Sequence, residues 1–294
     1  VSFEIAAGEA LAVVGESGCG KSTLALTLMG LETATAGSVR FDGRELVGLG
    51  SGALKETRRR IQMIFQDPYE SLNPLMTVGE IVAEPLHVHG LAKAADERQQ
   101  RVMQALADAG LKPADHYIHR FPHELSGGQR QRVAIAAALV LEPQLLIADE
   151  PVSMLDVSIR AEILNLLADL KQTRNIAILF ITHDLGTVSA VADRIAVMYL
   201  GRIVETGTVA EVMTAPQHPY TRALLSVVPA PNPRLRRQHI ILQGETPDPI
   251  HLPPGCRFHP RCRIATDQCR TVDPALAPTT TGQLAACIHL DTSQ

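Results

Sequence analysis

No stretch of this 294-residue chain is apolar for long enough to cross a bilayer. The longest run, Val133 to Leu141, covers nine residues, where a spanning helix needs about 20. Positive charge is not in excess either: 27 Lys and Arg stand against 31 Asp and Glu, a net charge of −4. Nucleic-acid binders are usually basic, so we expect no nucleic-acid partner. An internal repeat and a heptad run are both missing, and so is a basic-then-apolar leader. The last point leads us to expect no signal peptide. The first residue is Val1 rather than Met, so we expect the natural N-terminus to lie upstream. What the chain does have is 46% apolar residues, enough for one large domain with a sizeable core and a smaller one beside it.

The most informative stretch is Gly15-Glu16-Ser17-Gly18-Cys19-Gly20-Lys21-Ser22-Thr23. It fits G-x-x-x-x-G-K-[ST], a phosphate-binding loop. The apolar run Leu11 to Val14 before it reads as a buried parallel strand, and Leu24 to Leu28 after it as the first turns of a helix. Three glycines let the backbone curl with its N–H groups inward, where side chains would block a phosphate. The helix N-terminus adds N–H donors and partial positive charge. Lys21 supplies a full charge for the outer phosphates, and Ser22 offers a hydroxyl to Mg²⁺. Cys19 stands where no particular side chain is needed, and we give it no redox role.

Downstream, Gly37 to Gly43 reads as a strand closed by a turn, and Lys55 to Arg60 as a solvated helix. Ile61 to Phe65 is a short strand ending at Gln66. A helical segment over Val78 to Leu111 should break near Pro85 and Gly90. Leu125 to Gln129 opens a helix over Arg130 to Leu141. Leu145 to Glu150 and Ile176 to Ile181 read as buried strands, with an amphipathic helix over Ile159 to Lys171 between them. Arg194 to Glu205 reads as a hairpin about Leu200-Gly201. Strands alternating with helices imply an α/β domain with a largely parallel sheet. Beyond Met213 the composition shifts: twelve of the 19 prolines and four of the five cysteines lie there. We read 214–294 as an appended, loop-rich small domain.

In open α/β sheets the ligand lies at the C-terminal ends of the strands. Gln66, Asp149-Glu150 and His183 each follow an apolar run, so each should emerge on the edge that carries the phosphate loop. Asp149 is placed to hold Mg²⁺, directly or through water. Glu150 is placed to orient and polarise an attacking water. Gln66 can bind Mg²⁺ or that water, and His183 can donate to a γ-phosphate. The reaction this implies is in-line attack of water on the γ-phosphate, with catalysis by positioning and charge stabilisation. Ser126, Gly127, Gly128 and Gln129 form a second set of helix-start N–H donors. Two phosphate sites with one nucleotide motif imply two chains facing head to tail. A nucleotide site and no export signal place the chain in the cytoplasm, where cysteines are unlikely to form disulfides.

Together the phosphate loop, Gln66, Leu125 to Gln129, Ile147 to Glu150, Ser153 to Asp156 and His183 resemble the ordered motif set of ABC-transporter ATPase subunits. The resemblance covers most of residues 1–213. It implies a P-loop ABC-type nucleotide-binding domain over 1–213, with a helical subdomain at about 67–140, binding ATP and Mg²⁺. It implies an ATP-sandwich dimer in which Lys21, Ser22 and Thr23 face Ser126, Gly127 and Gly128 of the opposite subunit. Glu150 is then the general base, His183 the γ-phosphate sensor, and Asp156 a contact across the interface. The segment Gln66 to Pro74, with His218-Pro219-Tyr220-Thr221 and Pro253-Pro254-Gly255-Cys256, resembles the dipeptide/oligopeptide/nickel importers. The similarity is nearest to a dipeptide-importer ATPase of the second-subunit type. That resemblance implies two membrane permeases, a second homologous or identical ATPase, an extracytoplasmic solute-binding protein, and a place on the cytoplasmic face of the inner membrane.

Three features depart from the family pattern. The family usually carries, upstream of the phosphate loop, an aromatic residue that stacks on adenine, and we expect that position to lie before Val1. Ala137 stands where Arg is common, and Met154 where Ala is usual. In the extension, Cys256, Cys262, Cys269 and Cys287 form C-x5-C-x6-C-x17-C. Four thiolates suit zinc or a cubane iron–sulfur cluster; the resemblance of the extension to that of peptide importers favours [4Fe–4S]. The competing readings are a soluble ABC ATPase acting on ribosomes or DNA, a nickel rather than a peptide importer, and a redox-sensing module.

Overall fold

A computed structural model describes residues 1–228, 239–242, 244 and 247–290. Strand β1 (Ala10–Val14) is wholly buried, as its unbroken apolar run requires. The phosphate loop leads straight into helix α1 (Lys21–Leu28). The expected strand about Gly37 to Gly43 is reduced to a hairpin of two-residue strands, β2 (Arg40–Phe41) and β3 (Arg44–Glu45), turning at Asp42-Gly43. Helix α2 (Ser51–Arg60) is mostly exposed, with Arg58, Arg59 and Arg60 in its last turn, where the helix dipole favours cations. It ends at β4 (Ile61–Ile64).

Short α3 (Pro68–Ser71) is capped by the Asp67 carboxylate. It is followed by α4 (Val78–Val88) and α5 (Ala95–Asp108). The expectation of a break at Pro85 is not met. Pro85 lies inside α4, and the chain turns instead at Gly90, which takes φ +66°. A proline removes one helical N–H donor; the capping box of Thr77 and Glu80 at the other end of α4 fixes the helix start regardless. Helix α6 (Gly127–Leu139) begins three residues earlier than the sequence suggests, because Ser126 and Gln129 form a capping box. Strand β5 (Leu145–Asp149), helix α7 (Val157–Arg174) and strand β6 (Ala177–Thr182) follow. After short α8 (Leu185–Val188) come β7 (Arg194–Tyr199) and β8 (Arg202–Thr208), the expected hairpin. Its turn residues Leu200 and Gly201 both have positive φ, the geometry that matches the twist of paired strands. Helices α9 (Val209–Thr214) and α10 (Pro219–Ser226), then strands β9 (Ala277–Pro278) and β10 (Leu284–Ala285), complete the described elements of this class.

These elements fall into two compact units. One comprises Val1–Ile5, Ala10–Lys21 and Phe180–Gln294. In it β1 pairs parallel with β7, and β7 pairs antiparallel with β8. The edge of β8 receives β10, which pairs in turn with β9. Strands from the C-terminal segment thus extend the sheet that begins at β1. The other comprises Ala6–Glu9 and Ser22–Leu179. In it β4 and β5 are parallel, Ile61 opposite Leu145, and α4, α5 and α6 pack on one another. The α/β class expected from the sequence is the class found.

One buried carboxylate ties the first unit together. Glu205 on β8 is fully buried and accepts the backbone N–H groups of Gln217 (2.7 Å) and His218 (2.9 Å). Burial pushes its carboxyl above the usual range, and these two donors, with Thr221 and Arg222 nearby, offset part of that cost. Glu205→Ala leaves both N–H groups buried without that acceptor. We expect a loss of about 3 kcal/mol in unfolding free energy, and a smaller loss for Glu205→Gln, whose amide oxygen still accepts. Urea unfolding followed by tyrosine fluorescence measures both.

Candidate functional site

In the first unit the phosphate loop is constrained most tightly at two of its glycines. A side-chain carbon at Gly15 would stand 2.2 Å from the carbonyl oxygen of Met198. Gly20 takes φ +103°, a conformation L-residues rarely adopt. Lys21 is buried, and its ammonium donates to the carbonyls of Gly15 (2.8 Å) and Glu16 (3.0 Å). Cys19 is buried behind the loop, and burial pushes its thiol pKa up. Ser17 and Gly18 face outward. His183, directly after β6, is also exposed, and the adjacent Asp184 caps α8 through Gly186 N at 2.8 Å.

Two contacts on the loop had no signal in the sequence. The Tyr220 hydroxyl accepts the backbone N–H of Glu16 at 2.9 Å. The Arg261 guanidinium grips the Glu16 carboxylate with both Nη atoms, at 2.6 and 3.1 Å. Behind them lies a block of rings from distant parts of the chain. Tyr199 and Tyr220 are 4.7 Å apart, and Phe258 stands edge-on to Tyr199 at 5.2 Å. His218 packs on Phe258 at 5.6 Å. Burial pushes the His218 imidazole down to about 3, so it stays neutral and caps α10 by accepting Tyr220 N at 3.1 Å.

In the second unit, Ser22 and Thr23 are exposed at the start of α1. Gln66 and Glu150 come together: the Gln66 amide donates to the Glu150 carboxylate at 3.4 Å. Asp149 is buried at the end of β5, while Glu150 is half-buried just past it. Glu150 has φ +46°, a strained backbone for a residue with a side chain, of the kind that clusters at functional sites. Parallel pairing of β4 with β5 puts Gln66 and the Asp149-Glu150 pair at the same edge. Ser126 caps α6, and its hydroxyl accepts Gln129 N at 3.3 Å. Gly127 stands near the Tyr69 hydroxyl. Gly128 is fixed by packing, since a side-chain carbon there would lie 2.4 Å from Ile159. The Tyr69 ring carries the Arg130 guanidinium at 4.1 Å. Asp156 is exposed at the start of α7 and makes no side-chain capping bond. Met154 is exposed and Ala137 half-buried on α6.

Cys256, Cys262, Cys269 and Cys287 line one small cavity in the first unit, with His218 and His289. Cys256 N donates to the carbonyl of Cys269 at 2.9 Å. The Cys269 sulfur lies 3.5 Å from His289 Nε2. Burial, with the neighbouring sulfurs adding to it, pushes the Cys262 thiol up to about 11, and burial raises Cys256 and Cys287 as well. Among the described residues, no three His, Cys, Asp or Glu side chains converge closely enough to hold a metal ion. The expected thiolate site is therefore gathered but not closed. No helix among the described residues is long and apolar enough to cross a membrane.

Comparison with known proteins places this geometry. Residues 1–153 match the ABC transporter family, and residues 204–269 match the oligopeptide/dipeptide transporter C-terminal region. A probable peptide ABC transporter ATP-binding protein of Sinorhizobium fredii is 50% identical over 98% of this chain and 80% of its own length. A dipeptide transport ATP-binding protein of Haemophilus influenzae is 48% identical over 99% of this chain and 88% of its own. Among solved structures, a dimeric ATP-binding cassette in a post-hydrolysis state with ADP and Pi superposes with TM-score 0.64. It is 32% identical and covers 70% of this chain and 88% of its own. The chain belongs to the ABC-transporter family, as an ATP-binding and ATP-hydrolysing subunit with the C-terminal region of the oligopeptide/dipeptide group.

Proposed function

We propose that this chain powers the import of dipeptides or oligopeptides, as a peripheral subunit on the cytoplasmic face of the membrane. The observation that carries the reading is the joint presence of the ABC region at 1–153 and the oligopeptide/dipeptide region at 204–269 on one chain. Relatives near 50% identity over nearly the whole chain are named for peptide or dipeptide transport. In this reading residues 1–213 are the ATPase domain, with 67–140 as its helical part, and 214–294 are the extension. Two permeases, a second ATPase and an external solute-binding protein complete the transporter.

Residues 15–23 cradle the phosphates, and Lys21 moves its charge from the loop carbonyls to the nucleotide. Ser22, Gln66 and Asp149 hold Mg²⁺, whose charge offsets that of the phosphates. Glu150 accepts the proton of the attacking water and Gln66 helps orient that water; their 3.4 Å contact keeps both groups at one point. His183 donates to the γ-phosphate. Ser126, Gly127, Gly128 and Gln129 close on the nucleotide of the opposite subunit, where Asp156 meets its partner. Cys256, Cys262, Cys269 and Cys287 would be the ligands of a [4Fe–4S] cluster, with zinc the alternative, once the cavity they line draws them together. Four sulfurs on one cavity support that donor set. A cation there stabilises the thiolates that burial disfavours.

Three outcomes test this reading. Affinity capture of the tagged chain from native membranes should recover two multi-span permeases and a second ATPase; ribosomes or DNA-repair proteins instead would sink it. Glu150→Gln should cut ATP turnover about 10²–10⁴-fold while ATP binding survives, and unchanged turnover refutes the base. Anaerobically purified protein should carry iron and acid-labile sulfide, both lost on Cys262→Ser; zinc alone, or no metal, excludes the cluster.

A further inference from the structure

Glu16 is an awkward residue for the second position of a loop that must receive a polyanion. A carboxylate there repels phosphate, and the Glu16 side chain is only 28% exposed, so solvent screens that repulsion incompletely. The C-terminal segment answers this with two side chains. Arg261 forks onto both carboxylate oxygens, and only 7% of its side chain is exposed. Tyr220, fully buried against Tyr199 and Phe258, holds the backbone N–H of the same residue. Lys21 meanwhile donates to the carbonyl of Glu16. A phosphate that recruits the Lys21 ammonium takes that contact away and leaves the Glu16 carbonyl with the Cys19 N–H at 3.3 Å. Tyr220 and Arg261 then hold the N–H and the side chain of Glu16 from the C-terminal segment.

We propose that Arg261 and Tyr220 are positioning residues of the ATP site: Arg261 neutralises Glu16, and Tyr220 pins the first turn of the phosphate loop. The extension is thereby a working part of nucleotide binding in this chain. A planar fork fits a carboxylate better than a point charge does, so arginine is the expected residue for this task. The inference rests on reading residues 15–23 as the ATP-phosphate site.

The test is MgATP affinity and steady-state turnover of the full chain. Arg261→Met should weaken ATP about tenfold, through KM, with kcat at saturation within about twofold. Arg261→Lys should fall between it and the wild type. The decisive variant is the pair Glu16→Gln with Arg261→Met, which removes the carboxylate charge that Arg261 would have met and should restore most of the affinity. Tyr220→Phe should weaken ATP a few-fold. Arg261→Met and Arg261→Lys that bind ATP like the wild type overturn the proposal. So does a loss that Glu16→Gln does not rescue, because that marks Arg261 as a packing residue only. Lys21→Ala separates the two levels. If it binds ATP as the wild type does, the site reading itself fails; if it loses ATP while Arg261→Met does not, only the present inference falls.

Discussion

A phosphate-binding loop must offer backbone N–H groups to a ligand rather than to the protein, so it cannot hold its own shape by the usual hydrogen bonds. The shape has to come from what surrounds it. Here the surroundings are β1, buried over its whole length, the Met198 carbonyl against Gly15, and a lysine whose ammonium is parked on two loop carbonyls. Gly20 supplies a backbone angle that other residues rarely adopt. The cost of an open backbone is thus met by burial and steric contact beneath the loop.

The C-terminal segment takes part in the same task. The chain has no tryptophan and only ten other aromatic residues. Three of these, Tyr199, Tyr220 and Phe258, are fully or almost fully buried and packed together under the loop. Large, rigid rings bury much area with little rotamer freedom to lose, so concentrating a scarce resource here makes a firm base. Glu205 adds a polar pin, holding the N–H groups that lead into α10. Removing its acceptor would cost more than the bonds alone, since buried donors without partners carry their full desolvation penalty. In the second unit the strain is local: Glu150 sits at positive φ beside Gln66, a conformation kept only where neighbours over-determine it.

Much of this was legible in the chain itself. Continuous apolar runs marked β1, β5 and β6, because a strand buried on both faces needs no alternation. The hairpin at Leu200-Gly201 followed from its turn. The helix start at Ser126 was readable as a cap, although its first turn begins earlier than Arg130. Pro85 misled, since a proline weakens a helix by a fixed local amount, while the packing of α4 on α5 and α6 is a tertiary gain that no local pattern carries.

By itself the sequence marked the candidates for phosphate chemistry, namely the glycine spacing, Lys21 and the acids at the end of β5, and separately the four cysteines as candidate metal ligands; all of these rest on local order along the chain. Only the tertiary structure decided what stands behind them. Arg261 reaches Glu16 across 245 positions, and Tyr199, Tyr220 and Phe258 meet from separate segments. Pairings of that kind depend on strand register and on how a loop-rich extension folds back over β8. Neither leaves a periodic mark in the sequence, because each is fixed by contacts between residues that are neighbours only in space.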